Sequence, residues 1–108
     1  INKLPNEVEG YLWKARHQAL LDTINKGAAA IEPYLQVIEK GKVDPAKYNK
    51  QMLEALNWLT VYYINVKADY AKAQEYNDQA LEVDANNDQV MKLFNFLLDA
   101  TKPKSGKK

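Results

Sequence analysis

Between Leu53 and Val66 the chain carries apolar side chains on nearly every bearing of a helix. Leu53, Leu56, Leu59, Tyr63 and Val66 form one stripe, and Trp58, Val61, Tyr62 and Ile64 fill most of the remaining circumference. A helix that is apolar all round cannot face water on any side and has to be surrounded. The segment therefore demands a fold in which it is central and other elements cover it. Only four glycines and four prolines interrupt the 108 residues. Ala, Leu, Lys, Glu and Gln dominate between them, and Val and Ile never alternate with polar residues over a strand's length. The chain reads as all-α, with helices over about 5–22, 28–40, 45–66, 69–83 and 87–101. Residues 1–101 make one helical domain, and 102–108 a disordered Lys-rich tail.

Local signals place the ends. Pro5 suits a first helical position, where its missing donor costs nothing, and Gly10 weakens the helix that follows. Leu12, Ala15, Ala19 and Leu20 give that helix an apolar stripe. Asn25-Lys26-Gly27 is a turn signal, Pro33 makes the second helix start late or bend, and Gly41 ends it. Asp44-Pro45 is a cap followed by a first-turn proline, a start signal for the third helix. Lys67-Ala68 makes a tight turn, Asp69 caps the fourth helix, and Asn86-Asn87 turn the chain again. On the fourth helix Tyr70, Ala73, Tyr76, Ala80 and Val83 form the apolar stripe, opposite Lys72, Glu75, Asp78, Gln79 and Glu82. Connections this short make neighbouring helices antiparallel.

Composition excludes several kinds of chemistry. There is no cysteine, so disulfides, thiolate catalysis and cysteine metal sites are absent. His17 is the single histidine, and the only serine, Ser105, lies in the tail, so a Ser-His-acid arrangement cannot be assembled. Asp84-Ala85-Asn86-Asn87-Asp88 imitates the opening of a calcium loop, but Gln89 replaces the sixth-position glycine and Asn95 the twelfth-position glutamate. With 15 basic and 14 acidic residues, four of the basic ones in 102–108, the body before the tail is mildly acidic and a poor phosphate binder. No apolar run approaches the roughly 20 residues of a membrane span. Ile1-Asn2-Lys3 has no signal-peptide character, and the chain reads as mature or excised.

The third and fourth helices together resemble a tetratricopeptide repeat. Leu56, Leu59, Thr60 and Tyr63 fill the large, large–small and aromatic positions of its first helix, and Ala73, Tyr76 and Ala80 the small, aromatic and small positions of its second. Ala85 stands where the family has its turn proline, and the inter-helix turn is too long by one residue. A weaker copy of the second-helix pattern, Ala30 to Glu39, precedes it with Ala30 placed 43 residues before Ala73, against a family period of about 34. The third helix or the turn before it must therefore be enlarged. The resemblance covers about residues 11–87 and implies antiparallel hairpins stacked as a short α-solenoid, with the fifth helix opening another unit or capping the stack.

The resemblance further implies a bacterial protein, of the cell envelope or the cytoplasm. It also implies a concave groove lined by the first helix of each pair. By position the groove residues are Trp13 and His17 on the first helix and Asn57, Val61, Ile64 and Asn65 on the third. An asparagine amide both donates and accepts, so Asn57 and Asn65 are suited to holding an extended peptide backbone, and Trp13 to anchoring a side chain. The expected function is non-enzymatic binding of a protein or peptide, without cofactor, metal or nucleic acid. The alternative is a structural or oligomerising segment of a longer repeat protein. That alternative draws on the fifth helix, where Val90, Met91, Leu93, Phe94, Phe96, Leu97 and Leu98 exceed what one packing face needs.

Overall fold

The structure, a computed structural model, describes residues 7–21 and 27–101. The described residues are all-helical, with five α-helices among them: α1 (Glu7–Leu21), α2 (Ile31–Gly41), α3 (Asn49–Asn65), α4 (Tyr70–Val83) and α5 (Asp88–Thr101). Pro5, the Asn25-Lys26 turn signal and the Lys-rich tail lie outside the described residues.

Each helix packs on the next in sequence. In addition α3 touches both α1 and α5, whereas α2 and α4 do not approach within 8 Å Cα to Cα among the described residues. Thus α3 has the four other described helices as neighbours, which bury most of its circumference but, against the expectation of a helix surrounded on every side, leave Trp58, Val61 and Ile64 half-buried. Leu56 and Leu59 are fully buried, each worth about 1.5–3 kcal/mol of transfer free energy. Ala15, Ala30, Ala55, Ala73 and Ala80 are also at zero exposure, small side chains at the points of close helix approach. A chain of rings joins three helices. Tyr34 of α2 stacks on Trp58 of α3 (centroids 4.8 Å apart) and Trp58 on Tyr62 (5.2 Å). Tyr62 meets Tyr63 edge-on, and Tyr63 stacks on Tyr76 of α4 at 5.8 Å.

Several local expectations are refined. Gly27, at φ 92°, precedes a turn of 3-10 helix, Ala28–Ala30, so the α-helical hydrogen bonding of α2 begins late and Pro33 falls in its first turn, where a missing donor is tolerated. Helix α3 starts four residues after the expected Pro45. Asp44 does accept from the Lys47 amide, and its carbonyl from the Tyr48 amide at 3.1 Å, but this single turn does not continue into α3. Gly41 ends α2 without a left-handed conformation. Its role is clearance, because a Cβ there would lie 2.6 Å from Cγ of Met52. Asp69 caps α4 as its position predicts, accepting from the Lys72 amide at 3.1 Å. The buried stripe of α1 is Val8, Leu12 and Ala15, while Leu20, expected on it, is 78% exposed. Leu20 lies about 100° around the helix from Ala19, on the side that no other described helix covers.

Candidate functional site

On α3, Asn57, Val61, Ile64 and Asn65 follow one another at four-, three- and one-residue steps, so they share a face. This face runs between α1 and α5. Toward α5, Val61, Ile64 and Asn65 border a cleft of about 210 Å³ completed by Lys92, Leu93 and Phe96. Its walls are apolar, with one amide and one ammonium at the edge. Phe96 stays 45% exposed and is held from the far side by an edge-on contact with Tyr70, centroids 6.3 Å apart. Asn57 lies a turn away, half-buried, and its Oδ1 is shielded without a hydrogen-bond partner among the described residues. With that oxygen turned inward, its NH₂ is the group left for a ligand.

Toward α1, the same face ends in a charge-assisted bond of two parts. Arg16 donates from Nε to one Glu54 carboxylate oxygen at 2.7 Å and from Nη2 to the other at 2.6 Å. That fork geometry orients the two helices more than it stabilises them, since both side chains keep substantial exposure. A further hydrogen bond, Gln51 to Glu9, closes the seam one turn earlier. The bond to Glu54 holds Arg16 charged beyond its ordinary range. Because its carboxylate partner already neutralises it, Arg16 is not a spare cation for a peptide terminus. Tyr34 approaches Glu54 from α2. Burial, reinforced by this carboxylate, pushes its hydroxyl up to about 12.

Trp13 lies beside this seam, 67% exposed, with the Arg16 guanidinium 5.8 Å from its ring centre. His17 is exposed one turn on. The six sequence-derived residues thus fall into two groups. Val61, Ile64 and Asn65 meet in one cleft, with Asn57 adjoining. Trp13 and His17 stand on α1 across the Arg16–Glu54 pair. Sequence reasoning missed Lys92, Leu93 and Phe96 as lining residues, although the surplus apolar positions of the fifth helix were the signal for two of them.

The calcium-like segment is used for capping. Asp84 accepts from the Asn86 amide at 3.0 Å, and Asn87 accepts from the Val90 amide at 3.1 Å, at the start of α5. Among the described residues no three His, Asp or Glu side chains converge as a metal site would require, and no helix is long and apolar enough to cross a membrane. In comparisons with known proteins, no family model, no curated protein and no solved structure matches this chain.

Proposed function

We propose that the chain is a non-enzymatic recognition module of tetratricopeptide-like design that holds an extended peptide along the face formed by α1, α3 and α5. The observation that carries this reading is the apolar cleft between α3 and α5, open on the face where the odd-numbered helices adjoin. An apolar peptide side chain seats against Val61, Ile64, Leu93 and Phe96. Asn65 and the Asn57 NH₂ bond its backbone, and Trp13 offers a second, flatter contact beyond the Arg16–Glu54 pair. The bacterial origin suggested by the repeat pattern belongs to the same reading. Selection from a displayed peptide library, followed by amide-shift mapping of a selected peptide, tests it. Shifts should centre on Ile64, Asn65, Leu93 and Phe96, and Phe96→Ala should weaken binding by roughly 1–2 kcal/mol, about five- to thirtyfold. Shifts confined to α2 and α4 would defeat the assignment.

A second reading, a structural segment of a longer repeat protein, is favoured by Leu98, which is 46% exposed on α5 beside half-buried Met91 and Phe94. Sedimentation distinguishes them. Self-association abolished by Leu98→Lys, with peptide binding absent, supports the second.

A further inference from the structure

A larger cleft lies away from this face. It measures about 520 Å³ and sits between the α2–α3 connection, the start of α3 and the end of α4, within the range of roughly 300–1,000 Å³ typical of small-ligand sites. Its floor is apolar, with Met52, Leu56 and Val83 beneath and Pro45 at the side. Its rim carries charges of opposite sign on opposite walls, Lys42 from the connection and Glu82 from α4, with the Gln79 amide one turn before Glu82.

The cleft is held open by the fold. Met52 is 4% exposed and fixed against the bare backbone of Gly41. Asn49 donates its side-chain amide to the Val83 carbonyl at 3.3 Å, tying the start of α3 to the end of α4. The connection itself is folded into a turn on Asp44. Among the described residues neither Lys42 nor Glu82 forms an ion pair, with the other or with a third residue.

We propose that this cleft binds a short apolar peptide with both termini free, a di- or tripeptide. Its side chains rest on Met52, Leu56 and Val83. Its ammonium faces Glu82, its carboxylate faces Lys42, and Gln79 bonds the peptide unit between them. A fatty acid would satisfy Lys42 but lay hydrocarbon against Glu82, and an apolar amine would do the reverse; only a molecule charged at both ends meets both walls. The site is independent of the α1–α3–α5 face, and either can fail without the other.

The test is amide- and methyl-shift titration of the full chain with the dipeptide Leu-Leu, and with the same dipeptide acetylated and amidated. Leu-Leu should move the Met52 methyl, the Gln79 side-chain amide and Val83, leaving Ile64, Asn65 and Phe96 unmoved. Blocking both ends should weaken binding by about two- to fivefold per lost charge contact, the scale of solvent-exposed ion pairs. Lys42→Gln and Glu82→Gln, at exposed positions, should each reduce affinity for free Leu-Leu without changing affinity for the blocked form. Equal binding of free and blocked peptides, shifts confined to the cleft between α3 and α5, or no shift at millimolar peptide would each overturn the proposal.

Discussion

Replacing Gly41 by alanine isolates a single contact between the end of α2 and the start of α3. The new Cβ would lie 2.6 Å from Cγ and 2.8 Å from Sδ of Met52, with Cβ of Tyr48 at 3.4 Å. Cγ is near the root of the methionine side chain, so rotating the outer bonds alone does not relieve the first clash. Met52 must change its first rotamer, and at 4% exposure it has little room to do so. Overpacking of this kind costs about 1–3 kcal/mol. The gain in helix propensity, about 1 kcal/mol at an interior position and smaller at a helix end, offsets part of it. A net loss of about 1–2 kcal/mol should lower Tm by roughly 5–15 °C in a domain of this size. Thermal melts followed by far-ultraviolet circular dichroism measure it. The decisive control is the double mutant. Met52→Ala alone should cost about 2–5 kcal/mol through its cavity, and with the obstructing side chain removed, Gly41→Ala should cost little or nothing further. The coupling should therefore reach at least about 1 kcal/mol. A Gly41→Ala protein as stable as the parent, or strict additivity with Met52→Ala, would refute the clearance role given to this glycine.

Two further expectations concern stability. Ala68, between α3 and α4, is held at φ 52° while the next amide, that of Asp69, reaches back to the Tyr63 carbonyl at 2.8 Å. Ala68→Gly should raise stability by about 0.5–1 kcal/mol, read from urea unfolding, because glycine removes the left-handed strain and returns only part of the gain as chain entropy. Tyr34 ionises at 10.0 when unperturbed and at about 12 in the fold. Below the first value both states are protonated and this site adds no pH dependence. Between the two, the unfolded chain loses its proton first, so stability should fall as pH rises and level off above the second. Tyr34→Phe should flatten that alkaline slope in unfolding measured across the range, and an unchanged slope would count against Tyr34 as its source.

Much of the fold was legible because helix signals are local. The cap at Asp69, the burial of Ala73, Tyr76 and Ala80, and the centrality of the third helix follow from spacing within one segment. The late start of α3 was not legible, since Asp44-Pro45 has the chemistry of a helix start and forms a turn that the chain then abandons. Asn77 was equally hidden. It is fully buried on α4, and its amide donates to the Val90 carbonyl at 3.2 Å, a partner that exists only once α5 has folded back. The candidate face was half legible. Val61, Ile64 and Asn65 follow from periodicity on one helix, whereas Phe96 and Lys92 join them only through the placement of α5 against α3.

The residue order alone determined that this chain is helical, where most of its turns fall, and which helix must lie inside. Those properties depend on backbone hydrogen bonding and on a 3.6-residue repeat, both complete within a few turns. Only the tertiary structure decided which groups meet across helices: Arg16 with Glu54, Gly41 with Met52, and the Asn49 amide with the Val83 carbonyl. Such meetings depend on how far each helix is rotated and slid against its neighbour. The packing of buried alanines and rings sets that displacement, and no segment carries it by itself.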